Sequence, residues 1–217
     1  MKLIDHTPSS LADYTAAQTA AVVPDGSRDA MAAVIGRHVD EALARVGHCI
    51  DRVAMWRAGE FNYLHSSQYC IYLYYLANTV WKREGDATAA TRLFLLNKAL
   101  NAIDLFYEIE MPKVFFIGHS VGIVLAKATY GEHLVLYQNS TVGRHRSDIP
   151  VLGDGVIIYP NSAVIGRSRV GDGAVLSQGS RVVNAEVPAR AMAFPGENGG
   201  LTFRPAPSDL LSDYFRI

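Results

Sequence analysis

The chain has 217 residues and carries 20 Lys and Arg against 21 Asp and Glu, a formal net charge of −1. That balance, with no basic stripe, excludes the electrostatic footprint of a nucleic-acid-binding protein. The most apolar stretch, from Tyr69 to Trp81, is too short to span a bilayer and contains Asn78 and Thr79. The start, Met1 to His6, has Asp5 and no long apolar run, so it does not read as a signal peptide, and a cytoplasmic protein without a membrane partner is expected.

Residues 1–27 hold Pro8, Ser9, Ser10, Pro24 and Gly26 and read as an irregular segment. Met31, Ile35, Val39, Leu43, Val46, Ile50 and Val53 then follow at steps of three and four, which predicts an amphipathic helix to about Arg57. A second helix starts at Ser66 or Ser67 and runs to Trp81, with Lys82 and Arg83 at its C-terminal dipole end and Gly85 as its cap. Asp86 caps a third, Ala87 to about Leu105, with Leu93, Leu96, Leu100 and Ile103 on one stripe. Together they predict a helical domain over 28–107. The aromatic second helix fits the core of that domain, a subunit interface being the alternative. Cys49 and Cys70 have no metal-type spacing and are expected as reduced core thiols.

From Leu152 to Val187 the sequence repeats every six residues. The first position is always aliphatic, Leu152, Ile158, Val164, Val170, Leu176 and Val182, and the fifth is slim in Val156, Ser162, Ser168, Ala174 and Ser180. A helix repeats near 3.6 residues and a strand at two, so a six-residue period belongs to a parallel β-helix whose aliphatic residues stack inward. Upstream, Val124, Tyr130, Leu136 and Val142 continue the spacing, with Ala128, Leu134 and Ser140 as fifth positions. Val142 to Leu152 is ten residues, so Gly143–Pro150 must bulge as a loop, a usual place for binding. The predicted class is therefore α+β: helical domain, β-helix over 108–190 with a loop at 143–151, and a tail over 191–217.

Gly118-His119-Ser120-Val121-Gly122-Ile123-Val124 is similar to the Asp-His-Ala-Thr-Gly-Ile-Val segment of serine O-acetyltransferases. Tyr137–Gly143 resembles the segment that follows it in that family, and Asp154–Val183 resembles the closing coils. The helical part matches in outline only. The resemblance implies a left-handed β-helix, acetyl-coenzyme A as acyl donor, a small-molecule acceptor, and a homotrimer or dimer of trimers. It makes His119 the general base, and Glu108 or Glu110 the carboxylate that orients its ring. Arg144, His145 and Arg146 in the loop, with Asn139, become acceptor-binding candidates, and Gly179, Ser180, Pro188 and Arg190 coenzyme A contacts. Two departures bear on the acceptor. The family's aspartate before the histidine is Gly118 here, and its Arg-His pair at the loop's end is Asp148-Ile149. Serine and a sugar hydroxyl or amine both stay open as acceptor, with a non-catalytic scaffold as the alternative of another class. No metal is expected, since His119, His133 and His145 do not share one six-residue register.

Overall fold

The computed structural model describes residues 1–217. Four helices come first: α1 (Pro8–Val22), α2 (Arg28–Ile50), α3 (Ser66–Glu84) and α4 (Ala87–Asn101). A two-stranded parallel sheet joins Lys2–Leu3 to Glu60–Phe61. The first helix departs from the expected irregular segment. Thr7 caps it through a reciprocal capping box with Ser10, and Pro8 stands in the first turn, where a missing N–H costs nothing. Pro8 is thus a start signal rather than a breaker. The second helix stops at Ile50, short of Arg57. The fourth ends at Asn101 because Ala102 turns left-handed, at φ 49°, and Asp104–Leu105 is already a β-helix strand.

The aromatic helix α3 lies inside the core. Tyr72, Tyr74 and Tyr75 are fully buried, and their helix fastens the entrance to the β-helix. The Tyr74 hydroxyl donates to the Ile109 carbonyl at 2.6 Å, and Asn78 Nδ2 to the Tyr107 carbonyl at 2.7 Å. Cys49 and Cys70 are free and buried, and burial pushes both thiols up to about 12, the mark of unreactive core thiols. No helix is long and apolar enough to cross a membrane.

The second half is a parallel β-helix with three sheets of six, five and four strands. The six-stranded sheet stacks Phe115–Ile117, Leu134–Leu136, Ile157–Ile158, Val175–Leu176 and Ala191–Pro195, closed by the antiparallel Leu201–Pro205. The five-stranded sheet stacks Asp104–Leu105, Val124–Leu125, Thr141–Gly143, Ala163–Ile165 and Arg181–Val183. The four-stranded sheet stacks Thr129–Tyr130, Val151–Leu152, Arg169–Val170 and Glu186–Val187.

The six-residue aliphatic positions form the interior, and Leu152, Ile158, Val164, Val170, Leu176 and Val182 are all buried. The slim positions sit inside the corners, where Ser162 and Ser180 turn their hydroxyls onto the carbonyls of Ser177 and Ala193. One register differs from expectation. Val124 faces out and is 44% exposed, while Leu125 points in and stacks between Leu105 and Val142. The coil from Leu125 to Tyr130 is one residue shorter than the repeat.

Three edges join the sheets. The first leads from the six- to the five-stranded sheet, the second to the four-stranded sheet, and the third back to the six-stranded one. On the first edge Gly122, Asn139, Asn161 and Gly179 all have positive φ and stack coil on coil. Glycine and asparagine are the residues that take this conformation at least cost. The tail after Pro205 returns along the six-stranded sheet. Leu211 packs at Gly155, Tyr214 at Phe116, and Phe215 at His133 and Val53. Arg216 then fans onto the carbonyls of Ile50, Asp51, Val53, Ala54 and Trp56 at the end of α2 and beyond.

Candidate active site

His119 occupies the first edge, in the turn between Phe115–Ile117 and Val124–Leu125. Its ring is exposed and makes no side-chain hydrogen bond, and the neighbour it meets is Tyr137, with centroids 6.4 Å apart. The turn that carries it is fastened on both sides. Gly118 N–H donates to the Leu136 carbonyl and Asn139 N–H to the Val121 carbonyl, in the coil that follows. The Ser120 hydroxyl donates to the Asn101 carbonyl at 2.7 Å, and Gly122 N–H to that of Ala102. The imidazole is held by a rigid backbone and left with free ring nitrogens, the requirement for a base that must reach a substrate proton.

Gly118, Tyr137, Tyr159 and Ser177 occupy successive coils at one position, linked by backbone hydrogen bonds through Leu136, Ile158 and Leu176. A Cβ at Gly118 would meet ring carbons of Tyr137 at 2.6 and 2.8 Å, so the ring fills the space where any side chain would stand. Tyr137 stacks on Tyr159 with centroids 5.5 Å apart and planes at 28°. Tyr214 donates its hydroxyl to Tyr159 at 3.3 Å, which leaves its oxygen to accept from Tyr137 at 3.1 Å. Burial first, then these two hydrogen bonds, raises the Tyr214 phenol above its usual range, so it is neutral across the working pH. The sequence offered no signal for this cluster, because its third member lies in the tail.

The predicted carboxylates are elsewhere. Glu110 pairs with Lys82 at 2.6 Å and Glu108 with Lys127 at 3.2 Å, and neither hydrogen-bonds to His119. They flank Ile109, whose carbonyl accepts from Tyr74 of α3, and within one chain both carboxylates face lysines rather than the ring. The acid that the topology carries beside the His119 turn is Asp104. Its N–H donates to the Ile123 carbonyl, its residue pairs with Val124, and its carboxylate meets Lys98 at 2.7 Å. The signal for it was Leu105, the first inward residue of the solenoid, which fixes Asp104 as outward on the adjoining strand.

Asn139 shares the first edge with His119; its amide donates to Asn161 Oδ1 at 3.0 Å, and its oxygen fills the space over Gly122. Arg144, His145 and Arg146 are exposed on the second edge, in a tight loop closed by reciprocal His145–Asp148 backbone bonds of 3.0 Å. One chain therefore does not bring them to its own His119. Gly179 lies on the first edge, three coils from the His119 turn, a distance of about 14 Å at the usual strand spacing. Ser180 is fully buried with its hydroxyl donated to the Ala193 carbonyl, so only its backbone is left to take part in a contact. Pro188 and Arg190 are exposed beside the third edge. His119, His133 and His145 stand on three different edges, and no group of three metal-type side chains comes together. A cavity of about 900 Å³ lies elsewhere, between α2, α3 and the segment before Phe115, lined by Arg45, Tyr75, Glu110 and Lys113.

No protein-family model matches the chain. A putative serine acetyltransferase of Schizosaccharomyces pombe is 27% identical over 138 residues, 61% of this chain and 51% of the relative. Serine acetyltransferase 4 of Arabidopsis thaliana is 25% identical over 135 residues, 59% of this chain and 38% of the relative. The matches thus span about half of the first of these curated relatives and 38% of the second. Among solved structures, the Neisseria gonorrhoeae serine acetyltransferase in complex with serine superposes with a TM-score of 0.71 at 18% identity, over 94% of this chain and 85% of that one. That of Vibrio cholerae gives 0.71 at 20%, over 97% and 84%. The chain has the serine acetyltransferase fold. The resemblance read from residues 100–190 therefore extends to the helical half, where sequence matched only in outline.

Proposed function

We propose that the protein transfers an acetyl group from acetyl-coenzyme A to a hydroxyl of a small acceptor, with His119 as the general base. The observation that carries this reading is the exposed, unpartnered imidazole on a rigid edge of a serine acetyltransferase fold. A neutral imidazole titrates near working pH and is matched to taking and returning one proton. The acceptor hydroxyl gives its proton to a free ring nitrogen as its oxygen attacks the thioester carbonyl. The tetrahedral intermediate then breaks its C–S bond, and the imidazolium returns the proton to the departing thiolate. An acetyl ester and free coenzyme A result, and no electrons are exchanged.

The donor is read along the first edge, where Asn139 and Asn161 are exposed and Gly179 is half-buried on successive coils after the His119 turn. Arg144, His145 and Arg146 stand on another edge, so in this reading they serve the site of a neighbouring copy in a homotrimer or dimer of trimers. The expected compartment is the cytoplasm. The gonococcal relative is described with serine, which makes L-serine the reference acceptor. The test is thiol release from acetyl-coenzyme A by the wild type and His119→Ala, over L-serine, other hydroxy-amino acids and nucleotide-activated sugars. Turnover that drops about 10²–10⁴-fold in the variant supports the assignment. Absence of both turnover and coenzyme A binding overturns it.

A further inference from the structure

We infer that Tyr137, locked in place by Tyr214 of the C-terminal tail, is the positioning residue of the base: its ring fills the space a side chain at position 118 would take and fixes the turn that aims His119. The inference rests on the acetyltransferase reading above and goes on to how the base is held. A glycine directly before the base is the point at which the turn is freest, because a backbone without a Cβ has more accessible conformations than any other. Tyr137 removes that freedom. Its ring carbons stand 2.6 and 2.8 Å from where a Cβ of Gly118 would be, so the ring packs directly over the Gly118 Cα. Two further ties hold the same peptide: Gly118 N–H donates to the Leu136 carbonyl at 2.9 Å, and the Ser67 hydroxyl donates to the Gly118 carbonyl at 3.5 Å. The Tyr137 ring lies 6.4 Å from the imidazole between centroids, and its hydroxyl is directed to Tyr214, so it acts on His119 through the turn.

The ring is held from two further directions. Tyr159 stacks on it from the following coil, with centroids 5.5 Å apart and planes at 28°. The Tyr214 hydroxyl meets that of Tyr137 at 3.1 Å and that of Tyr159 at 3.3 Å, so one tail residue joins both rings of the stack. Tyr214 is fixed in turn. Its ring packs on Phe116, in the strand that leads to His119, and its carbonyl accepts from Ala54 N–H at 2.8 Å. A continuous line of contacts therefore runs from the segment after α2, through the tail, to the peptide before the base. A displacement of about 1 Å at a catalytic group can cost about 10²-fold in rate, and this stack is what opposes it at His119.

The experiment uses the full-length protein with acetyl-coenzyme A and the acceptor of highest turnover in the panel above, below the melting temperature of every variant. Tyr137→Leu should lower kcat by about tenfold or more with both KM values within about threefold. Gly118→Ala, whose methyl group would collide with the ring, should do the same. Ring and methyl compete for one space, so the double variant should lie at or above the Tyr137→Leu kcat rather than about tenfold further below it. Tyr214→Phe, which frees only the hydroxyl, should lower kcat by about two- to fivefold. The His119 ring signals in ¹H–¹³C NMR, assigned with His119→Ala, should broaden in Tyr137→Leu while those of His6 and His48 stay sharp. Unchanged kcat in Tyr137→Leu, or single effects that multiply in the double variant, overturns the inference and leaves the acetyltransferase reading standing. If the wild type turns over no acceptor, that reading falls by itself; broadened His119 signals in folded Tyr137→Leu still support the positioning, and unchanged ones overturn it. Should Tyr137→Leu fail to fold, Gly118→Ala carries the test, and a kcat within about twofold of wild type overturns the positioning.

Discussion

The six- and five-stranded sheets come from the same six-residue repeat yet present opposite outer surfaces. On the six-stranded sheet the residues that alternate outward are apolar and buried: Phe116 at 6%, Val135 at 0%, Ile157 at 1% and Val175 at 2% exposure. The tail covers them, with Leu211 at Gly155 and Tyr214 against Phe116 and Tyr137. On the five-stranded sheet the outward set is Asp104, Val124, Thr141, Ile165, Arg181 and Val183, and no segment of the chain lies over it; Val183 is 53% exposed. His119 stands on the edge between the two. The difference shows that the repeat determines only what points inward. What covers the outside is decided by segments far away in sequence, or by another copy.

The largest test removes the cover. A chain lacking residues 206–217 uncovers four apolar side chains and loses Tyr214 and Phe215 from the core. Burial of such side chains is worth about 1.5–3 kcal/mol each, so the loss is on the order of 5–10 kcal/mol, a domain's whole net stability. The expected outcome is insoluble protein, or soluble protein that binds an apolar dye; a truncated chain with the wild-type melting temperature contradicts the strap.

A smaller break keeps the strap but unties its end. Arg216 donates to five backbone carbonyls at the end of α2 and beyond, and Arg216→Ala leaves those carbonyls to water. Because the residue is exposed, the expected cost is about 1–2 kcal/mol in urea unfolding. Arg216→Lys should recover only part of it, since an ammonium cannot fork to several carbonyls.

On the bare sheet the expectation reverses. Val183→Asp should leave the melting temperature of the monomeric fold within about 2 °C, because an exposed side chain contributes little to it. The same substitution should lower the molar mass by light scattering, because a carboxylate in an apolar interface is costly. Unchanged mass with Val183→Asp and Val124→Asp together would show that no copy packs on this sheet.

The repeat made the inward residues of the solenoid legible, from Tyr130 to Val182, because packing a corner every six residues leaves a periodic trace. The same periodicity failed at Val124, where the coil to Tyr130 drops one residue and Leu125 takes the inside. His119 drew attention through the motif around it, and its turn stands exposed on the first edge. Tyr137 was visible in sequence, but its role was not, because Tyr214 lies 77 residues away. Glu108 and Glu110 drew attention by proximity in sequence, whereas strand pairing places Asp104 beside the turn.

That last contrast gives the smallest effect and the finest test. Glu108 and Glu110 bond to Lys127 and Lys82 on largely exposed surface, where an ion pair contributes about 0.2–1 kcal/mol. Glu108→Gln and Glu110→Gln should therefore leave both kcat/KM and its pH profile within about twofold of wild type. Asp104→Asn changes an acid on the strand hydrogen-bonded to the His119 turn, and its backbone pairing with Val124 survives the substitution. The Asp104 carboxylate already faces Lys98 at 2.7 Å, so a drop in kcat/KM larger than those of Glu108→Gln and Glu110→Gln would mark support carried by the strand next to the turn. A profile shifted by Glu110→Gln and untouched by Asp104→Asn would mean that strand pairing is a poorer guide to the support of His119 than closeness in sequence.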